Sequence, residues 1–276
     1  MKSPQILVPT DFSDSSNNAA EYAWSLAKVM KASLLLYHAY HIPIPTTEMP
    51  MMIVSLEQLE KENIDRLHSY RAQLRKKLGN DITIDCIASP GFAVEEIAAL
   101  VKDKQIDFVI MGISGAGKIS QALLGSVTTG VLNEVKVPLL IVPEGAKFRP
   151  LTKVGLAYDY QSEISPKIVA ELKAVTALFK SKLFIIDVES PKEKVNISKA
   201  VSGIKLEQAL ESIEHTLHFP KNSDIVTGLI EFDENHKVDL LIMIPKRHSL
   251  LSRIFNASST KRMAFHSHTP ILALHE

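Results

Sequence analysis

Glycine and serine residues recur in one short region of the chain at a spacing that suits phosphate binding. Gly112 and Gly115 are followed, after nine intervening residues, by the pair Gly125 and Ser126. A glycine lets the backbone approach a phosphate oxygen without a Cβ in the way, and a serine hydroxyl can cap a helix or donate to the phosphate. The region therefore predicts a site for a phosphate-bearing ligand.

The elements around these glycines favour the same chemistry. The apolar run at 107–111 indicates a buried strand, and Val127, Val131 and Leu132 recur at helical spacing after Gly125. The glycines thus lie between the end of a strand and the start of a helix. Backbone N–H groups are free at a helix start, and the helix dipole favours an anion there.

An early carboxylate is the second candidate. Asp11 follows the apolar strand at 5–9, at the carboxyl edge where parallel sheets bind ligands. Its oxygens could accept hydrogen bonds from ribose hydroxyls or adenine nitrogen. Alternatively, Asp11 caps the helix that starts near Asp14. Ser13 and Asp14 can each serve as that cap, which leaves Asp11 partly spare.

A P-loop is a competing interpretation of the glycine region. Residues 112–118 spell G-x-x-x-x-G-K, but the next position, which should be Ser or Thr to bind Mg²⁺, is Ile119. Ser120 comes one residue late, and several residues intervene before the next apolar helix. We therefore do not expect a P-loop, and we interpret Lys118 as a loop lysine near the phosphates.

The chain contains an internal repeat. Residues 106–111 resemble 238–243, and 137–142 resemble 269–274, both at an offset of 132. The strand at the front of each half also matches, at an offset of 148. Two copies of one unit follow, and we predict domains at 1–146 and 151–276.

Each copy alternates strands with helices, which predicts an α/β fold with a doubly wound parallel sheet and helices on both faces. In the first copy we expect strands at 5–9, 33–39, 82–88, 108–111 and 139–142, and helices at 14–30, 55–78, 93–102 and from 125 to about 135.

Composition limits the partners. The 276 residues carry 31 basic and 31 acidic side chains, which argues against nucleic acid or an anionic membrane as the main partner. No apolar stretch approaches a membrane span and no signal peptide is evident, so we expect a cytoplasmic protein. The single cysteine, Cys86, excludes an internal disulfide, and we expect it to be a buried, inert thiol.

Histidines are weak candidates for chemistry. His266, His268 and His275 lie near the C-terminus without a carboxylate or cysteine partner close in sequence, and we expect no metal site there. His38 ends a strand beside the proposed site. We expect it to be a packed or edge histidine rather than a catalytic base.

These motifs together resemble the universal stress protein family. The resemblance rests on Pro-Thr-Asp-Phe-Ser at 9–13, Leu-Tyr-His-Ala at 36–39, the G-x2-G-x9-G-S spacing after strand four, and the strand at 138–143. It spans both halves, which implies a tandem form. The implied fold of each half is a five-stranded parallel sheet of the adenine nucleotide α-hydrolase-like, Rossmann-like type.

The resemblance also implies a ligand and its contacts. Family members with this motif bind ATP, and we expect ATP here, with or without Mg²⁺. Asp11 and Ala39 would flank the adenosine, and the phosphates would be held by Gly112, Gly115, Gly125 and Ser126, with Val127 adjoining them. In the family the final strand mediates dimers. We therefore expect the two halves to pack as an intramolecular pseudo-dimer, and a further homodimer stays open.

The second copy departs from the motif. At an offset of 132, Ile244, Arg247 and Ala257 stand in place of the three glycines, and Ser258 alone is kept. Bulky side chains there would occupy phosphate space, so we predict no ATP site of this type in the second half.

Two features of the second copy stay close to the first. Asp159 persists at the position of Asp11, and Val188 matches Ala39. The basic residues at 246–248 could bind a different anion or form a solvated loop.

The leading function is a regulatory adenine-nucleotide-binding protein of the stress response that binds without efficient turnover. No nucleophile–base set or metal cage accompanies the glycines, although slow hydrolysis stays open. One alternative is an ATP-using adenylyl-transfer enzyme of the same superfold, which the absence of glycine at 9–13 disfavours. Another is a nucleotide-free interaction scaffold.

Overall fold

The protein is an α/β protein in which strands and helices alternate along the chain. The computed structural model describes residues 3–42, 55–113, 125–159, 164–190, 197–245 and 269–276, with 197–202 described as backbone only. The strands are β1 Gln5–Pro9, β2 Ser33–Tyr40, β3 Ile84–Pro90, β4 Phe108–Gly112, β5 Leu139–Val142, β6 Lys153–Ala157, β7 Lys182–Ile186, β8 His215–His218, β9 Leu240–Met243 and β10 Ile271–Ala273. The helices are α1 Asp14–Met30, α2 Leu56–Leu78, α3 Ala93–Asp103, α4 Ser126–Glu134, α5 Pro166–Phe179, α6 Ile197–Leu210 and α7 Ile225–His236.

The described residues divide into two compact units, one before residue 138 and one from 138 onward. In the first unit the strand order is β3-β2-β1-β4, and the pairs β1–β2, β1–β4 and β2–β3 are parallel. The order reverses between β1 and β4. Because parallel crossovers are right-handed, α1 and α2 cover one face and α3 covers the other. Accordingly, α1 contacts α2, and α3 contacts α4.

The second unit has the strand order β5-β10-β9-β6-β7-β8. Its pairs are parallel except for β10 with β5, which is antiparallel and sets Ile271 opposite Ile141. The order reverses between β6 and β9, as it does between β1 and β4 in the first unit. The predicted α/β class with tandem, doubly wound, mostly parallel sheets is confirmed.

Helix α1 shows why the sequence forms these elements where it does. Ser13 caps the helix, since its side chain accepts from the Ser16 N–H, and Lys31 ends it in a left-handed conformation. Its buried face is rich in alanine, which lets the helix approach the sheet closely; that face includes Ala19, Ala23 and Ala27. The predicted bounds of α1 are confirmed.

One predicted strand begins later than expected. We predicted the third strand from 82, but β3 begins at Ile84. Ile82 is buried, yet it lies in a bend before the strand, where Asp81 forms an ion pair with Lys28 at 2.5 Å. The apolar side chain packs into the core without joining the sheet ladder.

In the described part of the chain, no helix combines the length and the apolar character needed to cross a bilayer.

Candidate functional site

The candidate site lies at the carboxyl edge of the first unit, where β1 and β4 diverge. Asp11 follows β1, and Gly112 ends β4. In open α/β sheets, ligands bind outside the strand carboxyl ends at such a reversal of strand order. Ala39 is the penultimate residue of β2, the neighbour of β1, and pairs with Ser89 of β3.

Asp11 is exposed and already engaged. Its Oδ1 accepts the Ser13 N–H at 3.0 Å and the Ser13 hydroxyl at 2.6 Å. Ser13, not Asp11, is the N-cap of α1. The carboxylate therefore orders the turn that leads into the helix while it stays accessible to solvent.

Phe12 holds this turn in an unusual conformation. Its φ is 64°, in the left-handed region that few non-glycine residues adopt. The Arg66 guanidinium lies 4.0 Å from the centre of the Phe12 ring, the His38 ring lies at 4.7 Å, and Tyr70 contacts the ring edge-on at 5.7 Å. Sequence reasoning missed this role of Phe12, because its partners lie on β2 and α2.

His38 is a packed residue, as predicted. Its Nδ1 lies 2.7 Å from the Thr10 carbonyl oxygen, a geometry in which Nδ1–H donates. Burial is the main cause that lowers the pKa of His38, and the nearby Arg66 charge lowers the pKa further. A neutral ring that donates to the backbone has a structural role at neutral pH.

Gly112 is needed for packing. A methyl group at Gly112 would lie 2.7 Å from the Ser15 carbonyl oxygen and 2.8 Å from its carbonyl carbon. These are backbone atoms of α1, so they cannot move aside easily. The glycine predicted from phosphate chemistry therefore also allows α1 to cross the end of β4 closely.

The start of α4 is tied to the end of β4. The Gly125 N–H donates to the Ile113 carbonyl at 2.7 Å, and the Thr128 hydroxyl donates to the Gly112 carbonyl at 3.0 Å. Thr128 is buried. Sequence reasoning missed Thr128, although a hydroxyl in the first turn of a helix after a glycine-rich loop is a usable signal.

The first turn of α4 presents its backbone donors to the same edge. The first helical bond runs from the Thr129 N–H to the Gly125 carbonyl at 2.9 Å, so the N–H groups of residues 126–128 have no partner within the helix. Ser126 and Val127 are exposed, and the turn carries no acidic residue. These N–H groups, which have no partner within the helix, and the helix dipole together make this turn suitable for an anion.

Several predicted residues lie outside the described part of the chain. They are Gly115, Lys118, Ile119 and Ser120 in the first half, and the residues 246–248, Ala257, Ser258, His266 and His268 in the second. Among the described residues, the structure brings Gly112, Gly125 and the start of α4 together. Asp11 follows β1, the strand next to β4, and Ala39 lies within β2, the strand next to β1.

The corresponding edge of the second unit is built differently. Ile244, at the position of Gly112, is half-buried and follows the end of β9. Helix α5 has 14 residues, against 17 in α1, and both end at a left-handed lysine. Because the two helices end at equivalent residues, α5 is shorter at its start. In the first repeat, Ser15 near the start of α1 lies against Gly112, so a longer α5 would crowd Ile244. Asp159 is exposed and Val188 half-buried.

Other candidate groups offer little chemistry. Across the described residues, no group of three or more His, Cys, Asp or Glu side chains is arranged to hold a metal ion. Cys86 is half-buried, and burial raises the pKa of its thiol. A raised pKa keeps the thiol protonated and unreactive at neutral pH.

Comparison with known proteins identifies the family. Residues 3–143 match the model of the universal stress protein family. The chain belongs to this family. A universal stress protein of Methanocaldococcus jannaschii is 28% identical over 148 residues, which cover 52% of this chain and 84% of the relative. One from Thermus aquaticus is 29% identical over 137 residues, covering 50% and 96%.

The universal stress protein fold extends over the whole chain. A crystal structure of a universal stress protein from Archaeoglobus fulgidus superposes with a TM-score of 0.73 at 21% identity, covering 100% of this chain and 99% of that one. At this identity the likeness shows the fold. It includes the second repeat, which lies beyond the residues matched by the family model.

Proposed function

We propose that this universal stress protein is a regulatory protein that binds ATP in its first repeat without efficient turnover. The observation that carries the proposal is the first turn of α4, which offers three backbone N–H groups and the exposed Ser126 immediately beyond β4. An anion such as a triphosphate is the ligand that such a turn favours. Gly112, Gly115 and Gly125 would let the backbone close around it.

The adenosine would lie along the same edge, between Asp11 and Ala39. The Asp11 carboxylate is exposed, and its Oδ1 is occupied by Ser13. It would therefore meet a ribose hydroxyl or the base as a fixed acceptor. Mg²⁺, if present, would be bound through the nucleotide phosphates and would offset part of their charge.

Binding rather than catalysis is favoured by the groups near this edge. The Nδ1–H of His38 donates to the Thr10 carbonyl, and Oδ1 of Asp11 accepts from the N–H and the hydroxyl of Ser13. The Ser13 hydroxyl donates to Asp11, but its oxygen also accepts the Ser16 N–H as the N-cap of α1, which gives this pair a structural role. Binding of ATP would alter the surface that this edge shows to a partner. Slow hydrolysis is compatible with this proposal.

The second repeat would lack an ATP site of this type. Ile244 occupies the position of Gly112, and Arg247 and Ala257 replace the other glycines.

We propose domains at 1–146 and 151–276, a cytoplasmic location, and an intramolecular pseudo-dimer formed through the final strands of the repeats. Support for the last point comes from the antiparallel pairing of β5 with β10, whose residues are buried.

Isothermal titration of the intact protein with Mg-ATP tests the proposal. We expect one site per chain, and Ser126→Ala should weaken binding several-fold because a hydroxyl donor to a phosphate is lost. Asp11→Ala should also weaken binding, and the matched variant Asp159→Ala in the second repeat should leave it unchanged. A stoichiometry of two, or no binding at all, would contradict the proposal.

A further inference from the structure

Phe92 stands where the local structure favours a different residue. It is the N-cap of α3, makes no side-chain capping bond and is 71% exposed. The corresponding helix of the second repeat, α7, begins at Asp224, whose carboxylate accepts the Thr227 N–H at 3.0 Å. Polar caps are favoured over apolar residues at this position. An exposed Phe92 ring gains little from burial, and it replaces a polar residue that would cap α3. This choice of residue points to contact between Phe92 and a molecule outside the fold.

The ring is held in place beside the end of β2. The Gly91 N–H donates to the Tyr40 carbonyl at 3.0 Å, and Gly91 has a φ of 144°, which side-chain-bearing residues rarely adopt. A methyl group at Gly91 would also lie 2.8 Å from Cγ of Glu96. The Phe92 ring itself packs against the His41 ring, with centres 5.6 Å apart at 63°.

This position adjoins the residues assigned to the adenosine. Ala39 pairs with Ser89, and Tyr40 pairs with Pro90, so Phe92 emerges on the same carboxyl edge as Ala39, one strand away. Adjacent strands are about 4.8 Å apart. Among the described residues of the first unit, Phe92 is the large hydrophobic aromatic side chain that is exposed at this edge, and the exposed ring of His41 lies beside it.

We propose that Phe92, supported by His41, is a platform on which the purine base of the bound nucleotide stacks. The inference rests on the proposed nucleotide site and adds the residue that selects the base. A flat exposed ring offers its face to any base, and purines, with the larger ring system, gain more from stacking than pyrimidines. The second repeat has Asp224 at this position and so lacks the platform as well as the glycines.

The variant Phe92→Ser separates binding from folding, because the two should change in opposite directions. The serine hydroxyl can cap α3, so the melting temperature of the free protein should rise. The affinity for ATP should fall by on the order of tenfold, with a smaller fall for CTP, so that the ATP-to-CTP preference narrows. The matched control is Leu178→Ser, which changes an exposed apolar residue of α5 and should leave both affinities unchanged.

A second variant supplies a direct signature. Phe92→Trp keeps an aromatic face, so ATP affinity should be retained and the new indole fluorescence should be quenched on binding. The native Trp24 is buried and serves as the background signal. An unchanged ATP affinity in Phe92→Ser, or an equal loss for ATP and CTP, would overturn the platform. If the wild-type protein bound no ATP, the proposed function itself would fail.

Discussion

The two repeats share one framework and differ at the edge where strand and helix meet. In the first, the 17-residue helix α1 passes so close to the end of β4 that Gly112 has no room for a side chain. In the second, α5 has 14 residues and Ile244 takes the place of the glycine. The residue at this position and the length of the first helix of the repeat therefore change together.

The largest effect is expected when the residues at positions 112 and 244 are exchanged. Gly112→Ile places a branched side chain against the Ser15 backbone, and we expect the first unit to lose about 3 kcal/mol of stability or to fail to fold. Urea unfolding, followed by Trp24 fluorescence, measures this. The reverse change, Ile244→Gly, should cost far less, because Ile244 is only half-buried. A similar cost for the two changes would break the comparison.

A second prediction concerns two aspartates at equivalent positions, 132 residues apart. Asp239 is buried, pairs with Arg149 at 2.8 Å, and accepts the Thr152 and Lys153 N–H groups, both at 2.9 Å. Asp239→Asn removes the charge from all of these bonds. We expect a loss of about 2 kcal/mol in the second unit, measured by urea unfolding.

The matched control for that change is Asp107→Asn in the first repeat. Asp107 accepts the Gln5 N–H at 2.9 Å, and we expect a loss of about 1 kcal/mol. Arg149 lies in the connection between the repeats, so the larger effect at Asp239 would show that the second aspartate also anchors this connection. Equal losses would remove that distinction.

A third, smaller effect is expected at Thr128. Thr128→Val keeps the shape of the side chain but removes the hydroxyl that bonds the Gly112 carbonyl, at a cost of about 1 kcal/mol. Because this bond sets the first turn of α4, the affinity for ATP should fall as well. Thr129→Val, one position along the helix, is the control. If the two variants bound ATP equally, the link between β4 and α4 would have no part in binding.

The smallest effect is a pH dependence of the stability of the second unit. His218 packs against Phe184, Phe232 and His236, and burial, followed by the charges of His236 and Lys182, lowers its pKa. The unfolded chain takes up a proton near pH 6.5, whereas the folded chain does so only at lower pH. The contribution to stability is therefore present above about pH 6.5 and is lost as the pH falls towards the folded pKa.

Denaturant midpoints between pH 7.5 and 5 measure this dependence. His218→Phe should flatten the response of the second unit, and replacing the exposed His68 of α2 should leave the response unchanged. His38 has a lowered pKa in the first unit for the same main reason, burial. An undiminished response after His218→Phe would show that other groups control the pH dependence of the second unit.

Local signals in the sequence account for the elements that were predicted well. Ser13 as a cap and alanine at helical spacing predicted α1 to its ends. The apolar strands were predicted because their burial on two faces leaves a continuous apolar run. Ile82 was assigned to a strand wrongly, because an apolar side chain in a bend looks the same in sequence as one in a ladder.

The sequence by itself determined the alternation of strands and helices, the tandem repeat and the loss of glycines from the second copy, since each depends on residue type and spacing along the chain. Only the tertiary structure decided why Gly112 must be glycine, which partners hold Phe12 and Asp239, and that β5 pairs with β10. These features depend on contacts between residues far apart in the chain, such as Ser15 with Gly112 and Ile141 with Ile271. The spacing of residues along the sequence does not show which of these distant residues come into contact, because the contacts arise only when the sheet forms.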